Sequence, residues 1–129
     1  MDTAPLSKRK LYVVVREDLS PGRRIAQAGH AVAEVIQHHP VQADHWNVTD
    51  NYLIVLGVPD WEALVREFMF VRNAGVLVTP FYEPDLDGQM TAFAALPHPR
   101  DNDRFSHLPL AARQRRLGRA WGRLRGRLG

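Results

Sequence analysis

Five consecutive apolar residues, Leu11-Tyr12-Val13-Val14-Val15, stand between Lys10 and Arg16. An unbroken apolar run between charges predicts a strand covered on both faces, as in a largely parallel sheet. Asp18-Leu19-Ser20-Pro21-Gly22 reads as a turn into a helix, with Ser20 as its cap and Pro21 in the first position. That helix is expected over residues 21–38 and is ended by Pro40, with Ile25, Gly29, Val32 and Ile36 as its buried stripe. Residues 40–50 read as a polar loop around Trp46. Residues 52–58, YLIVLGV, predict a second buried strand. Asp60 is placed to cap the next helix, Trp61, Leu64, Val65, Phe68 and Val71 or Arg72 carry its period, and Gly75 ends it in a left-handed turn. Val76–Tyr82 is the third strand; Pro80 cannot donate to a ladder, which places it at an edge or at a bulge. Past the turn at residues 84–88, Gln89–Leu96 is the fourth strand, antiparallel to the third because the link is short.

The order strand, helix, strand, helix, strand, strand predicts an α/β layered domain. Residues 1–9 read as a disordered arm, 10–97 as the globular unit, 98–109 as a Pro- and His-rich linker and 110–129 as a tail. A chain of 129 residues is one domain's worth, and 45% hydrophobic with 24% charged residues is ordinary globular composition. Cysteine is absent, which excludes disulfides, thiolate catalysis and cysteine-bound zinc. With no run of 18 apolar residues and no apolar signal core near the start, the expectation is a cytoplasmic enzyme or binding domain. The net charge of +3 hides an asymmetry: residues 113–127 carry seven arginines, no acid occurs from 110 onward, and residues 1–109 hold ten basic against fourteen acidic side chains. A basic block of this kind meets a polyanion, either nucleic acid or an anionic membrane.

Candidate chemistry lies in two places. On the first helix Arg23, Gln27, His30 and Glu34 form a polar stripe among small residues. Arg23 sits in the first turn, where the helix dipole disfavours a cation, so an anion contact suits it better than a purely structural role. The plainer reading is a solvated face. The second place is Phe81-Tyr82-Glu83-Pro84-Asp85-Leu86-Asp87-Gly88-Gln89-Met90-Thr91, with three acids just after a strand end. Ligands of open α/β sheets bind beyond the carboxyl ends of strands, so Glu83 and Arg23 share an edge if the first and third strands are parallel. Asp87-Gly88 equally suits a simple turn. His38, His39 and His45 lack metal-ligand spacing, so no metal is expected. Phosphate-loop, dinucleotide and serine-elbow motifs are missing.

VVVREDLSPGRRIAQAGHAV, WNVTDNYLIVLGVPDWEALVREF and FYEPDLDGQMTAFAALP together resemble the type 2 peptidyl-tRNA hydrolases over about residues 10–97. The resemblance implies a four-stranded mixed sheet flanked by helices, often a homodimer, and hydrolysis of the ester between a peptide and the 3′ end of tRNA, without a cofactor. Arg23 falls on the family's helix lysine, Gln27 and His30 match directly, Glu83 falls on an aspartate, and Thr91 on a threonine of the last strand. The turn before that strand is about four residues shorter than usual. This is similar to the divergent branch of peptidyl-tRNA hydrolase domain-containing proteins.

On that reading Glu83 orients or activates a water. Arg23 cannot be a base and instead binds phosphate or developing negative charge. Gln27 bonds a ribose or the ester carbonyl, and Thr91 donates from the neighbouring strand. His30 is either a general base or a buried histidine holding the helix to the sheet; its border on the apolar stripe favours the second. Arg23 and Arg24, with Arg113, Arg115, Arg116, Arg119 and Arg123, are the nucleic-acid contacts expected. Leu110, Leu117, Trp121, Leu124 and Leu128 follow helical spacing, making the tail a basic amphipathic helix interrupted by glycines. It suits tRNA phosphates, an anionic membrane, or packing on its own domain. Two other functions stand beside hydrolysis: a non-catalytic RNA-binding relative and a protein-interaction domain of the same fold.

Overall fold

A computed structural model describes residues 7–111. The strands are β1 (Leu11–Arg16), β2 (Leu53–Val58), β3 (Val78–Glu83) and β4 (Gln89–Ala95); the helices are α1 (Pro21–His38), α2 (Pro40–Thr49) and α3 (Trp61–Asn73). They build one open four-stranded mixed sheet of order β2-β1-β4-β3. β1 pairs parallel with β2, while β4 runs antiparallel to both β1 and β3. The carboxyl ends of β1, β2 and β3 therefore share one edge with the start of β4. Pro80 lies on β3, an outer strand, where its missing N–H costs no ladder bond.

Every residue of β1 is buried because both faces of the sheet are covered. Leu11, Val13 and Val15 pack with Ala92, Ala94, Ala31 and Val35 beneath α1 and α2. Tyr12 and Val14 pack with Leu56, Leu64, Phe68 and Phe93 beneath α3. Asp60 caps α3 by accepting from the Ala63 N–H at 2.9 Å, and Gly75 ends it at φ 83°, a left-handed conformation that glycine adopts without strain.

Four expectations change. First, α1 is rotated about its axis. Its buried line is Gln27, Ala31 and Val35, whereas Ile25 is 75% exposed and Ile36 37% exposed. Alanines at 28 and 31 meet alanines at 92 and 94, so the helix comes close to the sheet. Gln27 is tolerated there because it finds partners. Second, residues 40–49 are helix α2, not a loop: Pro40, which stops α1, starts α2 from its first turn. Only Ala43 is buried in it, so it lacks the apolar period that would have shown it. Third, Ser20 precedes α1 without a side-chain cap bond. Fourth, β2 and β3 begin at Leu53 and Val78, later than expected, and β3 extends to Glu83.

Both ends of the described chain are tied down. Arg9, expected in a disordered arm, is buried; its guanidinium donates to the Leu96 carbonyl at 2.6 Å and to His45 Nδ1 at 3.1 Å. Residues 99–105 form a 3₁₀ segment whose Phe105 is 2% exposed and stacks on Tyr12 with centroids 4.4 Å apart. The segment read as a linker is thus part of the core. Pro109–Ala111 then runs antiparallel along the outer side of β2. The expected tail helix lies outside the described residues. No described helix is long and apolar enough to cross a membrane.

Candidate active site

The site forms where α1 passes over the β3–β4 hairpin at the shared edge. Its central feature depends on one extra residue. Phe81 opposes Ala92, but Tyr82 opposes Met90, so Thr91 is inserted into β4 as a bulge. Strict alternation would turn Thr91 toward α3, away from Ala92. The bulge instead directs it to the α1 face, where its hydroxyl donates to Gln27 Oε1 at 2.7 Å. Gln27 Nε2 in turn donates to Glu83 Oε2 at 2.9 Å. Only this amide orientation serves both neighbours, since the flipped one sets two oxygens against each other. Glu83 Oε1 also accepts the Asp85 N–H at 3.2 Å.

This chain of bonds fixes the carboxylate and holds its pKa below the ordinary glutamate value. The Gln27 amide contributes most, then the Asp85 N–H; these outweigh partial desolvation, and the nearby His30 and Arg23 add smaller pulls in the same direction. Thr91 and Gln27 are buried and spent on each other and on Glu83, while Glu83 is half-buried with an outer side open to solvent. Arg23 is exposed in the first turn of α1. His30 is exposed as well and stacks on Phe81 with centroids 4.6 Å apart, so the buried-histidine reading gives way to a ring lying on the surface beside Glu83. Arg24 is partly used internally, its Nε donating to the Leu19 carbonyl at 2.9 Å.

Two contributors lie outside the sequence expectations. Arg16, buried at the end of β1, grips Asp18 with two bonds of 2.8 and 2.9 Å and Gln89 with one of 2.9 Å. It fastens the start of β4 to the end of β1 and so steadies the hairpin that carries Glu83; its hydrogen bonds also lower the Asp18 pKa. The sequence signal is a charge closing an otherwise apolar strand. Phe81 is the other, supplying the platform under His30. The turn itself closes through Asp87 and Gly88, both at positive φ, and the Gly88 N–H reaches the Glu83 carbonyl at 3.1 Å. Among the described residues no group of three metal-ligating side chains occurs.

A fixed carboxylate, a surface imidazole and a guanidinium at one helix end can hold a water beside an anionic ester. Residues 9–102 match the model of the family described as Peptidyl-tRNA hydrolase PTH2, a span that contains all five residues of the cluster. A solved structure of a protein of unknown function from Agrobacterium tumefaciens strain C58 shares the fold, with TM-score 0.61 over 81% of this chain and 98% of that one at 9% identity. No curated protein matches.

Proposed function

Since the chain belongs to the Peptidyl-tRNA hydrolase PTH2 family, we propose that it cleaves the ester joining a peptide to the 3′ ribose of tRNA. At the level of the family its function is peptidyl-tRNA hydrolase-like. The observation that carries the finer reading is the bonded series Thr91–Gln27–Glu83, ending in a half-exposed, ionised carboxylate.

Glu83 accepts a hydrogen bond from the attacking water, without taking its proton, and aims its oxygen at the acyl carbon. A bond forms from the water oxygen to that carbon, the bond to the ribose 3′ oxygen breaks, and the water's proton ends on the 3′ oxygen. The products are the peptide acid and tRNA. A carboxylate with a lowered pKa is a weak base, so its contribution is mainly orientation and charge. Arg23 pairs with a phosphate of the acceptor end or with the oxyanion. His30, on the surface beside Glu83, contacts the ribose or the leaving oxygen. Gln27 and Thr91 have their polar atoms occupied and act as positioning residues, not as the substrate contacts first expected. Hydrolysis of peptidyl-tRNA in ¹⁸O-water tests the reading. One ¹⁸O in the peptide carboxyl group is the expected product; tRNA binding without cleavage would leave a non-catalytic RNA-binding relative in its place.

A further inference from the structure

We infer that a groove between α3 and the β3–β4 hairpin holds the peptide arm of the substrate, taking apolar side chains at the third and fourth residues from the ester. In naming a peptide, this rests on the hydrolase reading of the Glu83 site. Trp61, Val65 and Met69 follow one another along α3 and form one wall. Tyr82 of β3 and Met90 of β4 form the other, around a volume of about 370 Å³, within the range of ligand clefts. The walls are open to solvent: Trp61 is 40%, Met69 43% and Tyr82 53% exposed. Large apolar side chains left uncovered around one concave surface mark a place where something binds.

The groove opens at the edge that carries the cleavage site. Phe81 packs beneath α1 and Glu83 bonds Gln27 of α1, while Tyr82 between them turns toward α3. Tyr82 and Glu83 are thus neighbours on opposite faces of one strand. β3 is an outer strand, so no further strand separates the two faces beside it. An extended chain advances about 3.3 Å per residue, so about two residues carry it around β3 from the ester to the groove. The residues after those lie along α3. From Trp61 to Met69 the helix rises about 12 Å, room for about three extended residues.

Two arms leave the ester, and the chemistry of the groove selects the peptide. Arg23, on the α1 face, is placed for a phosphate of the tRNA arm. The α3 face offers phosphate little. Arg72 and Asp87, the charged side chains lining the groove, are of opposite sign, and residues 1–109 hold fourteen acidic against ten basic side chains. The Arg72 guanidinium lies over the Phe68 ring, its Cζ 6.0 Å from the centroid. Apolar walls would leave the polar edge of a base unmatched, whereas apolar side chains need only be covered. Methionine is flexible and polarisable, which lets one surface accept side chains of different shape. A groove for peptides of many sequences requires that.

The test is equilibrium titration of the full chain with analogues in which an N-acetylated tetrapeptide is joined by an amide to 3′-amino-3′-deoxyadenosine. The amide replaces the labile ester, so binding is read whether or not the protein hydrolyses peptidyl-tRNA. One analogue carries Leu-Leu-Gly-Gly, with the glycines next to the nucleoside; the other carries four glycines. Wild type is expected to bind the leucine analogue at least about tenfold more tightly, as when apolar groups enter an apolar pocket. Met69→Ser combined with Tyr82→Ser should bring that ratio close to one, and Met69→Leu should keep it. A ratio of affinities does not depend on the fraction of protein folded, so a destabilised variant still reports. Equal binding of the two analogues by wild type would overturn the inference, as would an undiminished ratio in the serine variant. Equal binding with both analogues weakened in the serine variant would give the groove to the nucleoside instead. Hydrolysis of peptidyl-tRNA without any leucine preference would leave the Glu83 site standing and remove this groove from it.

Discussion

Gln27 shows how one side chain sets the chemistry of another. It lies on the buried line of α1, an expensive place for an amide unless each polar atom is matched. Thr91 and Glu83 match it, and the result is a carboxylate fixed in place with a depressed pKa. The sign follows. Glu83 stays ionised as pH falls through the normal glutamate range, so kcat/KM should hold steady there and decline only below it. Gln27→Ala removes the largest contributor to the depression, which should move the acid limb of the profile to higher pH. It should also cut kcat by about 10²-fold through loss of orientation. A pH–rate profile of wild type and variant reads both effects. A limb that does not move would mean Gln27 does not govern Glu83.

Among the elements, β4 matters most for the site, because its bulge turns Thr91 to the side where α1 lies. Thr91→Val keeps the shape and removes the hydroxyl, leaving the buried Gln27 Oε1 unpaired. A stability loss of about 1–3 kcal/mol is expected in urea denaturation, the cost of an unsatisfied buried acceptor. Thr91 and Glu83 are legible through their resemblance to a family motif, but Pro80 signals only an edge or a bulge in β3, and nothing in the sequence places the extra residue in β4. A bulge leaves the pattern of apolar residues almost unchanged: Met90, Ala92, Phe93 and Ala94 are apolar in either register. α1 illustrates the opposite difficulty. Its length is legible from Pro21 and Pro40, while its rotation is not. The apolar period points to Ile25 and Ile36, yet the buried side is the one with small residues and a satisfied amide. α2 escapes a sequence reading because its faces differ little in polarity.

For the molecule as a whole, the succession of strands is readable because turn residues set them off, and the short link makes β3 and β4 antiparallel; the relative direction of β1 and β3 is left open by the sequence and follows from the sheet order and pairing. The segment after β4 is not readable, being rich in Pro, His and charge. Phe105 shows why composition misleads: one aromatic, stacked on Tyr12 and closed in by the cluster beneath α3, anchors an otherwise polar stretch. Phe105→Ala should cost about 3–5 kcal/mol, the range for emptying a buried aromatic site, in equilibrium denaturation. A negligible loss would return the segment to the status of a link. Its packing also delivers the chain to the β2 edge, where Pro109–Ala111 is fixed.

Single-turnover cleavage of a peptidyl-tRNA by wild type and by Glu83→Gln, at neutral pH with enzyme in excess, reaches the heart of the mechanism. The amide can still accept from Gln27 but carries no charge to hold the water. The expected outcome is a rate about 10²–10⁴-fold lower in the variant, with substrate affinity little altered. Equal rates would contradict a role for Glu83 in breaking the ester.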